Sequence, residues 1–225
     1  MNVLVLGPQG SGKGTQAKRI KAMYGIPHIA TGDMLREMRQ LDTDLGRELK
    51  AVMDVGKLVD DAMMITLIRD RLSRGDTLGG FVLDGFPRTM AQAEALDDML
   101  ARAGTPLDRV VNLVAPTEQV VARLSTRLEC PVCHRTYNPV GAAPRDGVHC
   151  DDHPAVALIH RVDDDVAKIR KRIEVFHAET APLAEYYRRD GRLRTVEGIG
   201  ELDAVFARVL DALSAAGPEA KEARA

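Results

Sequence analysis

Two hydrophobic patterns alternate along this chain: short unbroken apolar runs, and longer stretches whose apolar residues recur three and four apart. The first pattern belongs to strands buried on both faces, the second to amphipathic helices. Residues 2–6 are such a run and feed a helix over 13–24 that Gly25 and Pro27 end. A short strand over 26–30 follows, then three helical segments over 32–40, 43–54 and 60–74, with Gly56 marking the break between the last two. Phe81-Val82-Leu83 predicts a third strand ending at Asp84, and 90–103 an amphipathic helix capped by Gly104. A fourth strand over 109–115 leads into a helix over 117–127. From 128 to about 160 the periodicity gives way to prolines, glycines, cysteines and histidines, the mark of an insertion outside the core. Helix returns over 163–187, where Pro182 bends or splits it, and a fifth strand over 193–197 precedes a last helix over 201–215. Residues 216–225 carry little to bury and are expected to be disordered.

Strands alternating with helices predict an α/β fold with a mainly parallel sheet, because parallel neighbours need crossover connections. With 225 residues the chain can bury one good-sized core and carry an inserted subdomain. Its formal net charge of −2 excludes a polyanion-binding surface over the whole molecule, so any basic site must be a local gathering of arginines. Neither nucleic acid nor a membrane is predicted as a partner: no run approaches the ~20 apolar residues of a bilayer span. The N-terminus carries no secretory pattern, and three cysteines confined to 130–150 make no disulfide framework, so a cytoplasmic location is expected.

Candidate chemistry begins between the first strand and the first helix, at Gly7-Pro8-Gln9-Gly10-Ser11-Gly12-Lys13-Gly14-Thr15. Glycines there let successive backbone N–H groups converge on an anion at a helix start. Lys13 adds a point charge for the outer phosphates and Thr15 a hydroxyl near phosphate or magnesium, the division of labour of a P-loop. The strict pattern places Ser or Thr directly after the lysine, whereas here Gly14 intervenes. Asp84, at the carboxyl end of a buried strand, faces the same sheet edge and is placed to hold Mg²⁺ through water. Arg88 offers a planar fork for phosphate, and Gln92 follows four positions later. His28 and His177 fall in no motif and read as structural or exposed.

The loop 7–16, the segments Thr31-Gly32-Asp33-Met34-Leu35-Arg36 and Gly56-Lys57-Leu58-Val59, and Asp84-Gly85-Phe86-Pro87-Arg88 with Gln92 together resemble the adenylate kinase family over residues 1 to about 212. Gly14-Thr15 after the lysine is that family's own form of the loop. The resemblance implies a P-loop NTPase-type, five-stranded parallel sheet flanked by helices: a core of 1–29, 60–127 and 161–215, a helical nucleoside-monophosphate-binding insertion over 30–59, and a metal-binding lid over 128–160. It implies reversible phosphoryl transfer from ATP–Mg²⁺ to AMP, giving two ADP, in a monomer whose two mobile parts close over the substrates. Gly10, Ser11, Gly12, Lys13, Gly14 and Thr15 would hold the ATP phosphates, with Arg127, Thr136, Tyr137 and Gly200 also on ATP. Thr31 and Gln92 would read the adenine of AMP, Arg36 and Arg88 its phosphate, and Lys57, Leu58, Val59, Gly85, Phe86 and Pro87 would line its pocket. Arg123 and Arg127 lie four apart on one helical face and resemble the family's arginines on the transferring phosphates. Arg161 and Arg172 match the pair that closes with the lid and would also hold AMP. Lys13, Asp84, Arg88, Arg123, Arg127, Arg161 and Arg172 form the implied catalytic set. The alternatives are a kinase for another nucleoside monophosphate, a GTP-using variant, and a non-catalytic nucleotide-binding module with a zinc lid.

Within the 128–160 insertion, Cys130-Pro131-Val132-Cys133 and Cys150-Asp151-Asp152-His153 are two short-spaced ligand pairs suited to a tetrahedral structural Zn²⁺. Too few apolar residues lie between them to fold by burial, so metal would supply the stability. The predicted ligands are Cys130, Cys133, Cys150 and His153, with Asp151, Asp152 and His149 as substitutes for the fourth. A metal in this lid is common in bacterial members of the family. His153 stands where the family more often has Cys or Asp, and His134 where Gly is usual.

Overall fold

The computed structural model describes residues 1–55, 57–139, 142–161 and 164–214. At its centre is a parallel sheet of β1 (Asn2–Leu6), β2 (His28–Ala30), β3 (Phe81–Asp84), β4 (Arg109–Val114) and β10 (Leu193–Glu197), in the order β10-β4-β1-β3-β2. All four pairings are parallel, as the crossover argument requires. β1 is buried along its whole length, which its unbroken apolar run permits. Its start is fixed by Asn2, whose N–H donates to Asp108 Oδ2 at 2.6 Å and whose side-chain amide donates to Thr105 O and Pro106 O.

Helices cover both faces. α1 (Lys13–Tyr24) and α9 (Leu202–Ser214) cover one side, where Val3, Val5, Ala17, Ile20, Val205 and Val209 interlock. The other side receives α2 (Thr31–Met38), α3 (Asp44–Asp54), α4 (Asp61–Leu72), α5 (Met90–Arg102) and α8 (Leu183–Arg189) around Leu4, Leu83, Ile68, Leu96 and Tyr187. Starts are set by side-chain caps: Thr43 Oγ1 accepts from Gly46 N, Asp60 from Met63 N and Thr89 from Gln92 N. Gly25, at φ 65°, ends α1 with its N–H on Lys21 O. Gly104, at φ 68°, follows α5 as its sequence position predicts. The predicted break at Gly56 and the tail over 216–225 lie outside the described residues.

The helix expected over 163–187 is split at Pro182, as predicted: it is divided into α7 (Val166–Val175), a π turn (Phe176–Thr180) and α8, with Pro182 at the start of the last. Proline lacks the N–H that would continue the ladder, and Ala181 N reaches back five residues to Phe176 O at 2.8 Å. The stretch 128–160 is not devoid of order. It holds β5 (Leu128–Glu129), β6 (Thr136–Tyr137), β7 (His149–Cys150), β8 (His153–Ala157) and β9 (Ile159–His160), in a three-stranded β6-β5-β9 sheet and a β7-β8 pair. Most of these strands are two residues long, below the length at which alternation is legible. Between core and lid runs α6 (Thr117–Ser125), which packs Val120 and Leu124 against Ile169 and Ile173 of α7.

Leu83 is fully buried at the middle of β3. Leu83→Ala is expected to lower the unfolding free energy by about 2–5 kcal/mol, read from the shift of the urea midpoint. A change under ~1 kcal/mol would show that the sheet is not the core on which stability rests.

Candidate active site

The chain passes from β1 out to β2 and β3 on one side of the sheet, then crosses to β4 and β10 on the other. The loop over residues 7–12 leaves β1 at this switch point, where ligands of open α/β sheets bind. Gly7, Gly10 and Gly12 have φ of 134°, 82° and 96°, and a Cβ on Gly7 would stand 2.2 Å from Leu113 O. Only glycine fits there, so the loop hugs β4 and directs its N–H groups at the space ahead of α1. Gly14, the apparent departure from the strict motif, turns its α-carbon toward Asp84, with 3.4 Å from a built Cβ to Oδ2.

Lys13 Nζ donates to Pro8 O at 2.9 Å, closing over the loop. Burial pulls its pKa down to about 8, Asp84 opposes the shift, and Arg88, Arg172 and Arg127 add to it. Asp84 sits beside Val5 in the β1–β3 register. Burial pushes its carboxyl up, but His28 and Lys13 outweigh that and hold it below the usual carboxylate value. His28, read from sequence as structural or exposed, is buried with Nε2 3.5 Å from Asp84 Oδ2. The Asp84 carboxylate, held in its ionised form, is an oxygen donor suited to Mg²⁺ bound through water.

Two cavities flank this centre. The first is lined by Arg36, Lys57, Leu58, Val59, Gly85, Pro87, Arg88 and Gln92. The second is lined by residues 10–15 with Arg123, Arg127, Thr136, Tyr137, Arg161 and Gly200. Lys13, Arg36, Arg88 and Arg172 belong to both, so the cavities meet over four cations. Of the residues predicted for the first cavity, three stand apart, one of them Arg161, which lines the second cavity instead. Phe86 is fully buried in the core and does not line it, and Thr31 is buried beneath it with its hydroxyl donating to Asp84 O at 3.3 Å. The Gln92 amide is held at both ends: Oε1 accepts from Arg88 N at 2.8 Å and Nε2 donates to Asp61 Oδ1 at 2.7 Å.

Carboxylates that the sequence reading passed over hold the arginines. Asp164, buried, takes Arg127 through Nε and Nη2 at 2.7 Å each and Arg172 Nη1 at 3.3 Å. Glu129 pairs with Arg161, and Asp33 with Arg36. Arg123 instead donates to Gly198 O at 3.0 Å. The available signal for Asp164 was the acidic run 163–165 just after Arg161; Asp165 caps α7. Burial, with the neighbouring charges of Arg172 and Arg36 and against the opposing pull of Asp84, brings the Arg88 pKa down to about 10. A phosphate entering here competes with Asp164 and Asp33 for their arginines and can displace them, because it offers more oxygens and more charge. An arginine gripped along one edge keeps its other N–H groups for phosphate.

In the lid, the ligand atoms of Cys130, Cys133, Cys150 and His153 all lie within 4.8 Å of one another. Cys133 Sγ is 3.7 Å from Cys150 Sγ, and His153 Nδ1 is 3.6 Å from Cys150 Sγ and 3.9 Å from Cys130 Sγ. Tetrahedral Zn–S bonds of about 2.3 Å put sulfurs about 3.8 Å apart, so the set fits zinc. The three substitutes point elsewhere: Asp151 and Asp152 pair with Arg135, and His149 with Asp146. Burial raises the Cys150 thiol, yet hydrogen bonds from the Tyr137 hydroxyl and His153 bring it down to about 6, within reach of the thiolate a metal needs.

A glycine loop at the end of the central strand of a parallel sheet, opening on paired cavities rich in arginine, puts this chain among the P-loop nucleotide-binding proteins. A family model described as Adenylate kinase matches residues 5–192. Curated adenylate kinases align over nearly the whole chain: that of Kosmotoga olearia is 46% identical over 91% of this chain and 95% of its own. The Archaeoglobus fulgidus protein is 44% identical over 93% and 96%, and that of an Anaeromyxobacter species 45% over 92% and 96%. The chain belongs to the adenylate kinase family, and is by that membership a nucleoside monophosphate kinase in class.

Two outcomes follow from this geometry. Because burial brings the Lys13 pKa down to about 8, affinity for a nucleoside triphosphate should fall as pH rises through 8 and binding near pH 8 should take up protons; calorimetric titration in buffers of different ionisation enthalpy measures both. Affinity flat from pH 7 to about 9.5 would remove the lysine from the phosphate site. Stripping metal with a strong chelator should release zinc equimolar with protein and lower the melting temperature by several degrees or more. Full-length protein purified without zinc, cobalt or iron and melting as before would dismiss the metal site.

Proposed function

We propose that the protein is an ATP:AMP phosphotransferase, and the observation that carries this is the meeting of two cavities over Lys13, Arg36, Arg88 and Arg172. A nucleotide-binding module needs one cavity; direct transfer between two nucleotides needs two that share a wall of positive charge. ATP lies with its phosphates on the loop over 10–15 and its base toward Thr136, Tyr137 and Gly200, while AMP lies between Lys57–Val59 and Gly85–Gln92. An oxygen of the AMP phosphate attacks the γ-phosphorus, the bond to the β–γ bridging oxygen breaks, and two ADP result. At an effective dielectric of ~20, each pair of unit charges at about 4 Å repels by about 4 kcal/mol. Lys13, Arg88, Arg123, Arg127, Arg161 and Arg172 offset that repulsion and hold the oxygens in line. The chain offers little covalent chemistry and needs little, because positioning and charge stabilisation carry phosphoryl transfer. Mg²⁺, when held near Asp84, neutralises charge on the outer phosphates.

The core over 1–29, 60–127 and 161–215 then carries the chemistry, the helices over 30–59 the acceptor, and 128–160 a zinc-braced lid that excludes water. Without exclusion, water would compete with AMP for the phosphoryl group. We propose a monomer acting in the cytoplasm; among the described residues no helix is long and apolar enough to cross a membrane.

Steady-state turnover with ATP–Mg²⁺ against AMP, GMP, CMP and UMP, and with GTP as donor, tests the assignment. AMP is expected to be preferred strongly, and Arg88→Ala to lower kcat/KM by about 10²–10³. Preference for another monophosphate would reassign Thr31 and Gln92. Binding of ATP without ADP formation would leave a nucleotide-binding module.

A further inference from the structure

Glu129 is an acidic residue in the middle strand of the lid sheet, where an apolar side chain would serve packing as well, and it is buried with 7% of its side chain exposed. In the register, Glu129 faces Thr136 on β6 and Ile159 on β9. Its diagonal neighbours two residues along each partner are therefore His134 and Arg161, and it bonds to both. One oxygen, Oε2, takes the Nε and Nη2 edge of the Arg161 guanidinium. The other, Oε1, lies 3.1 Å from His134 Nδ1. A carboxylate paired with arginine can only accept, so the histidine donates.

His134 occupies this place against a backbone preference. Its φ of 55° makes it the one non-glycine left-handed residue among those described. The conformation is held by His134 N on Cys130 O at 3.0 Å and by Lys18 Nζ on His134 O at 3.3 Å. Glycine would adopt it without strain but could not reach Glu129. His134, Thr136 and Arg161 all line the second cavity, together with Lys18.

We propose that Glu129, steadied by His134, is a positioning residue that fixes the guanidinium of Arg161 toward the transferring phosphates. A long flexible side chain gripped along one edge by a buried carboxylate loses its freedom before substrate arrives, and that preorganisation raises the rate of transfer. The ring of His134 fixes the carboxylate in turn, so the chain His134–Glu129–Arg161 links the metal-bearing turn to the cavity. This inference rests on the reading of the two cavities as a phosphoryl-transfer site.

The test compares wild type, Glu129→Gln, Glu129→Ala, His134→Gly, Arg161→Ala and the Glu129→Ala/Arg161→Ala double variant, each checked for zinc content and melting temperature. ADP formation and ATP affinity by calorimetry are both measured. Glu129→Ala should lower kcat by about tenfold with metal retained, Glu129→Gln should recover part of the loss, and His134→Gly should lose less. With Arg161→Ala already present, Glu129→Ala should cost nothing further, which a merely structural role would not produce. An unchanged kcat in Glu129→Ala, or the same fold loss in both backgrounds, overturns the proposal. If the wild type forms no ADP, the functional reading fails by itself, and the same comparison of ATP affinity across the two backgrounds decides the role of Glu129.

Discussion

Like charges drawn to one place must be held there, and most of this molecule can be understood as the means of holding them. Lys13, Arg36, Arg88 and Arg172 share the boundary of two cavities, with Arg127 and Arg161 beside them. The energy resisting that gathering is largest where burial removes water, which is why Lys13 and Arg88 both have depressed pKa values. Carboxylates relieve it: Asp164 for Arg127 and Arg172, Glu129 for Arg161, Asp33 for Arg36. In the proposed reaction phosphate oxygens take over from Asp164 and Asp33 while Glu129 keeps its edge of Arg161, so the binding energy of the nucleotides is partly an exchange of one anion for another. That exchange favours polyphosphates over singly charged ligands, because a lone carboxylate or chloride gains nothing over the acid already present.

The scaffold meets this demand through placement at strand ends. β1 and β3 deliver the glycine loop and Asp84 side by side, because the parallel register sets Val5 against Asp84. Arginines come from farther away: Arg123 from α6, Arg127 just past it, Arg172 from α7 and Arg161 from just beyond β9. Packing between α6 and α7 through Val120, Leu124, Ile169 and Ile173 fixes their relation. A small apolar cluster thus governs the spacing of groups whose own interactions are repulsive. Among the described residues the lid has no comparable cluster beyond Cys130, Tyr137 and Cys150 with their half-buried neighbours, and four side chains able to hold a metal converge at that point instead.

Much of this was legible in the chain. The five strands of the sheet and the helices between them follow from apolar runs and periodicity, because burial on two faces or one leaves a strong pattern over five or more residues. The glycine loop and Asp84-Gly85-Phe86-Pro87-Arg88 carry their chemistry in local order, as does Cys-x-x-Cys with its later partner. What escaped was non-local or too short to have a period. The lid strands are mostly two residues long, and Asp61, Asp164 and Glu129 hold partners 28 to 37 residues away that no local pattern announces. His28 was passed over for the same reason: nothing beside it in sequence announces that β2 will set it against Asp84. Phe86 shows the opposite error, in which a residue inside a functional motif serves the core beneath it.

The π turn between α7 and α8 joins two bodies of the molecule that need different things from one helix. Upstream, Ile169 and Ile173 must face α6 so that Arg172 faces the cavity; downstream, Leu183 and Tyr187 must face the sheet. One residue more than an α-turn rotates everything after it by about 100°, enough to satisfy both demands in a continuous coil. Within that turn the Thr180 hydroxyl donates to Arg88 O at 2.8 Å. The wide turn therefore works as a phase-shifter, with a latch onto the acceptor side. A helix one residue shorter at that turn could be in step with only one half of the protein.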